Sequence, residues 1–391
     1  MADTGAAPVS TRRALTGAVL LDLAVSPLFA WNVFTDSLRR DLGASDALLA
    51  GVFSAGLLAF CLGVLIGGRI ADTISPRRLA LIALVGAVAG LLGTAAAESV
   101  GVLFVTFSVL IGGSTGLGYA TAVRVAGTVP SKRGLALGIV VSAYAAGTAV
   151  LAPVASALLT AVGRAWTFVV LAGALGAVLA IAAVLVPDLR PVPDPGTTPG
   201  GRRPRPSAAV VMLWAAFGLG SAPALAAFAQ AGALAGTAGS VAVAVVLLNV
   251  GNLAGRLAAG PLSDRIGRRA ALHANSALLV LACIPLAAGT SGSLALVALL
   301  LLGLQYGALS TLTPAATADV IPAERFGTTY GLVFTGWGIA GLLAPVTAAA
   351  LALEVGYNGV YLAFLVVAVL SWVSVTMYAV TVRVRSTSTH R

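Results

Sequence analysis

Charge is scarce in this sequence. Asp, Glu, Lys and Arg together make up 9% of 391 residues, against about a quarter in soluble domains. That excludes a soluble globular fold, and the 59% of hydrophobic residues points to a chain that crosses a membrane many times. Cysteine occurs twice, as Cys61 and Cys283, each alone in its own apolar run. Neither a disulfide nor a metal site is expected. Histidine also occurs twice, His273 and His390, far apart in the sequence. No grouping of nucleophile, metal ligand and acid–base residue is in sight, so an enzyme is not expected, nor a cofactor. The absence of a P-loop excludes direct drive by ATP. Lysine occurs once, at Lys132, so the net charge of +10 is almost entirely a matter of arginine. The arginines lie mainly in short loops between apolar runs, where they set topology, and nucleic acid is not an expected partner.

Apolar runs of membrane-spanning length recur from end to end. They predict twelve helices, near 14–35, 47–71, 78–98, 101–124, 134–160, 165–187, 208–233, 240–263, 270–289, 293–318, 327–352 and 358–382. The Pro/Gly-rich stretch 188–207, with Arg190, Arg202, Arg203 and Arg205, reads as a linker. It divides an N-terminal six-helix bundle, 1–187, from a C-terminal one, 208–391. With both termini in the cytoplasm, the linker and Arg77, Arg78, Lys132, Arg133, Arg265, Arg268 and Arg269 all lie inside. Only Arg39, Arg40 and Arg164 then fall outside, so the positive-inside rule selects this orientation in the cytoplasmic membrane. Forty-six glycines fit helices that approach closely in lipid.

The two halves repeat. Gly68 and Asp72 recur as Gly260 and Asp264, Pro130 and Arg133 as Pro322 and Arg325, and Pro153 as Pro345, each pair 192 positions apart. A constant offset across several helices means a duplicated unit in parallel orientation, suited to two bundles rocking about a central site. Two charges stand inside apolar runs. Arg256 lies eight helical residues from Asp264, roughly 12 Å along the axis and near the middle of the hydrocarbon core. Asp22 lies nine residues past Arg13, on one helical stripe with Ala18, Ser26 and Phe29. Charges at that depth face a cavity and serve a function there. Two roles fit Asp22: carrying a coupling proton, or neutralising Arg256 while the site is empty. Asp319 and His273, near helix ends, read as solvated.

Gly260, Asp264, Arg265, Gly267, Arg268 and Arg269 form G-x-x-x-D-R-x-G-R-R, which resembles the loop signature of the major facilitator superfamily. A degraded copy keeps Gly68, Asp72, Arg77 and Arg78, with Thr73 and Ser75 in place of the usual arginine and glycine. The resemblance covers the whole chain. It implies an all-α membrane protein of twelve helices in two pseudo-symmetric bundles, in which this motif is a conformational latch: an aspartate at a helix end binds arginines and a helix N-terminus of the other half.

Five further stretches resemble the oxalate/formate antiporter and monocarboxylate transporter branch. They are Phe29-Ala30-Trp31-Asn32-Val33-Phe34, Gly116–Thr121, Pro130–Gly138, Asn252–Arg256 and Tyr330–Gly338. That resemblance implies that Arg256 binds the substrate carboxylate, which a guanidinium fork matches. Asn252, one turn away, is placed to orient the arginine or bind substrate. Tyr119, Tyr144, Gln305, Tyr306 and Trp337 fall on helices that line the superfamily's cavity. Trp337 stands where oxalate carriers have a lysine, so a monoanion is expected over a dianion. The function expected is secondary transport of a small monocarboxylate by a monomer, coupled to protons or to exchange. Export of a drug or metabolite is the alternative.

Overall fold

The structure, a computed structural model, describes residues 10–71, 73–129, 131–188, 206–235, 238–290 and 292–388. Among these every regular element is helical. Two helices are continuous over 53 and 63 residues, Arg133–Leu185 and Phe326–Ser388. At 1.5 Å per residue either would exceed twice the thickness of a hydrocarbon core of about 30 Å. Both break instead at a glycine of positive φ, Gly163 (74°) and Gly356 (69°), a backbone that side-chain-bearing residues resist. Divided there, the described residues make twelve helices. They are α1 over Thr11–Leu42, α2 Asp46–Ile70, α3 Pro76–Ala95, α4 Val100–Gly127, α5 133–162, α6 164–185, α7 Ala208–Ala235, α8 Ala238–Ile266, α9 Arg268–Ala287, α10 Ser293–Val320, α11 326–355 and α12 357–388.

Most boundaries fall within a few residues of those read from the sequence. The first and last spans run furthest past their expected ends: the first continues to Leu42, seven residues beyond, and the last to Ser388, six beyond. In the first span, Asp36, Arg39, Arg40 and Asp41 end the apolar run but not the helix, within which Arg39 pairs with Asp36 at 3.0 Å. The same span is broken inside. Pro27 offers no N–H, and the chain passes from Thr11–Ala24 through a 3-10 turn at Pro27–Ala30 into Trp31–Leu42. The carbonyl of Val25, left free by the break, accepts from Thr115 Oγ1 of α4 at 2.8 Å. A π-helical stretch, Phe104–Ile111, inside α4 was not foreseen.

The exterior is apolar: Val85, Trp166, Val346 and Leu353 are each more than 60% exposed. This is the surface of a protein solvated by lipid, and the chain is a multi-pass membrane protein. Helices α1–α6 pack chiefly on one another and α7–α12 do likewise. The two groups meet along two seams, α5 with α8 and α2 with α11. Each seam closes on a glycine. A Cβ at Gly260 would collide with the Gly134 carbonyl, and one at Gly68 with the Gly327 carbonyl. Of the stretch 188–207, only Asp188, Pro206 and Ser207 are described, and Asp188 accepts from Ser75 Oγ at 2.6 Å.

Candidate functional site

Arg256 lies on the α5–α8 seam and is 8% exposed. Its Nε donates to Asn252 Oδ1 at 2.9 Å, one turn back on the same helix. Its Nη1 donates across the seam to the carbonyl of Val141 on α5 at 2.8 Å. The backbone carbonyl of Arg256 accepts from Thr311 of α10 at 3.2 Å, which fixes the height of α8 against its neighbour. The guanidinium is therefore held from two sides by neutral oxygens. No carboxylate among the described residues pairs with it.

Asp22 is fully buried, with the backbone N–H of Tyr144 beside it, and neither carboxylate oxygen makes a hydrogen bond of normal geometry. It stands just before the break in α1, within Coulombic reach of Arg256 but not in contact with it. The hydroxyl of Tyr144 on α5 is likewise buried and unpartnered. Three polar atoms on this wall thus lack partners, where native interiors leave few.

The remaining walls are aromatic. Phe60 of α2 is at the hub, its ring 5.7 Å from Tyr119, 6.1 Å and parallel to Tyr144, 5.6 Å from Trp337 and 5.4 Å from Phe334. Phe29 closes on Tyr144 edge-on at 5.5 Å. Trp337 Nε1 donates to Tyr306 Oη at 2.8 Å, and the Tyr119 and Tyr330 hydroxyls meet across the bundles at 3.3 Å. Of the residues expected to line this space, Gln305 is the one that does not join the cluster. It is 1% exposed, its amide is without hydrogen bonds, and it lies against α7 at Gly220. Consecutive helical positions point about 100° apart, so Tyr306 and Gln305 face different neighbours. Phe60 was missed, although the 192-residue offset maps it onto Asn252.

At the end carrying the loop 264–269, which we call the basic face, the seam is locked. Asp264 accepts from the backbone N–H of Gly134 (3.1 Å) and Leu135 (3.0 Å), the open N-terminus of α5. Arg268 pairs with Asp264 at 2.7 Å and with Asp319 at 3.1 Å, and also donates to Ser263. Arg133 of the other bundle reaches the same Asp319 at 3.2 Å. Asp319 is exposed, as expected, and two arginines, one from each bundle, also converge on it. His273, expected to be solvated, is half-buried instead, and its Nδ1 accepts from Trp372 Nε1 at 2.9 Å. Gly267 takes a φ of 89° and so lets the chain turn into α9. Arg265 and Arg269 are exposed, as are Arg77 and Arg78 in the first copy of the motif. Asp72 lies outside the described residues.

The model of the Major Facilitator Superfamily matches residues 16–228 and 207–391. An uncharacterized MFS-type transporter of Escherichia coli strain K12, YhjX, is 24% identical over 348 residues, covering 84% of this chain and 85% of its own. The puromycin resistance protein pur8 of Streptomyces alboniger is 33% identical over 132 residues, but this spans only 26% of that protein. Among solved structures, the proton:xylose symporter XylE superposes with a TM-score of 0.75 at 15% identity, covering 93% of this chain and 94% of its own. At that identity the likeness is one of fold.

Proposed function

The chain belongs to the Major Facilitator Superfamily and is a secondary transporter, and from that premise we propose that it carries a small monocarboxylate by alternating access between its two bundles. The observation that carries this reading is the state of Arg256. It is buried, bonded to two neutral oxygens and paired with no acid among the described residues. A guanidinium has five N–H donors. Two are engaged here, and the others suit the two oxygens of one carboxylate. A monoanion fits better than a dianion, because Arg256 is the single cation among the residues of the aromatic cluster.

Asp22 carries the coupling proton in this reading. With the proton on, Arg256 presents its full charge to the substrate. With the proton off, the carboxylate competes for the same field. Proton and anion therefore favour each other's binding, which is the thermodynamic requirement for symport. The positive-inside rule puts the basic face in the cytoplasm, and this conformation is then closed toward the cytoplasm. A second reading, export of a drug or metabolite, is favoured by the match to pur8.

The test is uptake into proteoliposomes of labelled monocarboxylates, oxalate and a cationic drug, with and without an inward proton gradient, for wild type and Arg256→Ala. Gradient-driven monocarboxylate uptake that the variant loses supports the proposal. Drug movement with no carboxylate uptake, indifferent to Arg256, overturns it in favour of the exporter.

A further inference from the structure

The aromatic hub has a role beyond packing. The two bundles touch along two seams, so the space between them is bounded by the α5–α8 seam on one side and the α2–α11 seam on the other. Arg256 stands on the first. Phe60 of α2 stands at the second, its ring against Phe334 and Trp337 of α11. Both lie at one depth. Ten residues separate Phe60 from Ile70, the end of α2, and ten separate Arg256 from Ile266, the end of α8. At 1.5 Å per residue each is about 15 Å from the basic face. The Phe60 ring also meets Phe29, Tyr119 and Tyr144 from α1, α4 and α5, so it faces the central space rather than lipid.

The ring is held in place. A Cβ at Gly116 of α4 would strike the Phe60 carbonyl, and one at Gly331 of α11 would meet the Val64 carbonyl, one turn further along α2. Backbones this close leave α2 no room to retreat from either neighbour. The ring itself offers only carbon and hydrogen to what approaches it. Beside it, the N–H of Trp337 is spent on Tyr306, and the hydroxyl of Tyr119 meets that of Tyr330. The part of a ligand that fits against Phe60 is therefore apolar.

We propose that Phe60 sets the upper limit on substrate length. This rests on the monocarboxylate reading of Arg256: with the carboxylate on the guanidinium, the apolar far end of the substrate points across the site and stops against the Phe60 ring.

The experiment measures binding of acetate, butyrate, hexanoate and phenylacetate to the purified full chain, from the rise in unfolding temperature with ligand concentration. In the wild type, affinity should peak at a short chain and fall by hexanoate and phenylacetate. Phe60→Leu and Phe60→Ala should move the peak to longer acids. Phenylacetate exceeds acetate by one phenyl ring, the group that Phe60→Ala removes. Its affinity relative to acetate should therefore rise about tenfold in that variant, the scale on which pockets discriminate size. Phe60→Trp should weaken butyrate relative to acetate. Affinity that keeps rising with length in the wild type overturns the proposal. So do relative affinities that no variant changes; if Arg256→Ala still abolishes acetate binding in that case, the monocarboxylate reading survives alone. Stabilisation by none of the acids overturns both. Phe60→Leu and Phe60→Trp retain a large side chain, so the test stands whether or not Phe60→Ala folds.

Discussion

The two walls of the central site differ in how completely their polar groups are satisfied. On the C-terminal wall, Arg256 is bonded to Asn252 and Val141, and Trp337 is bonded to Tyr306. On the N-terminal wall, both oxygens of Asp22 and the hydroxyl of Tyr144 have no partner. The first wall is preorganised, with side chains already fixed for a ligand. The second is incomplete, and buried polar atoms without partners mark where a proton, a water or a substrate group belongs. Gln305 does not blur the contrast, because its unsatisfied amide faces α7 rather than this space. In the function proposed above, this difference puts anion binding on one bundle and proton binding on the other. Coupling then requires both bundles to meet around one ligand.

The strongest way to break this comparison is to remove its one cation. Arg256→Ala should lower monocarboxylate uptake by about 100-fold, the loss of two charge-assisted hydrogen bonds at about 1.5 kcal/mol each. Arg256→Lys keeps the charge but not the planar fork, so an intermediate loss is expected. Uptake of labelled substrate over a concentration series separates the two variants. Equal activity in Arg256→Ala would leave the C-terminal wall without a ligand to be preorganised for.

The next effect falls on the opposite wall. Asp22→Asn preserves shape and removes the exchangeable proton. It should abolish accumulation driven by a proton gradient while leaving substrate-for-substrate exchange, measured by counterflow in the same vesicles. Retained gradient dependence would move the proton elsewhere and make Asp22 a structural residue.

How far this could be read from the sequence depended on rarity. Charge is so sparse in the apolar runs that Asp22 and Arg256 stood out, and helical counting gave both comparable depths. The 192-residue repeat and the Gly/Asp spacing located the latch for the same reason, since few residues compete for attention in those loops. Phe60 was invisible by contrast. A phenylalanine in a membrane helix has the same sequence appearance whether it faces lipid, core or site. The carbonyl of Val141 could not be read at all, because every residue carries one and only the seam geometry selects it. The ion pairs of Asp319 were hidden because its partners, Arg133 and Arg268, come from two different bundles.

The latch lets the comparison be sharpened, because closure of the basic face decides whether the two walls meet. Gly260→Ala would drive a methyl group into the Gly134 carbonyl, and Gly68→Ala would do the same at Gly327. Overpacking of this kind costs about 1–3 kcal/mol, a shift of about 5- to 100-fold toward the state with the seam open. Spin-label distances between the basic-face ends of α4 and α10 should lengthen in both variants. An unchanged distance distribution in either would mean that its seam opens and closes without that glycine contact.

The smallest expected effect tests whether the C-terminal wall is preorganised. Trp337 touches Phe60 and Phe334 with its ring and spends its single N–H on Tyr306. Trp337→Phe keeps an aromatic wall and removes that donor, leaving the Tyr306 hydroxyl free to swing. A neutral hydrogen bond contributes about 0.5–1.5 kcal/mol, so KM should rise about fivefold while the maximal rate is preserved. Tyr306→Phe should produce the same rise by removing the acceptor. If the pair acts as one positioning unit, the double variant is no worse than either single one, a strong coupling in a double-mutant cycle. Additive losses would mean instead that each ring meets the substrate separately, and the wall would then be a set of contacts rather than a fixed frame.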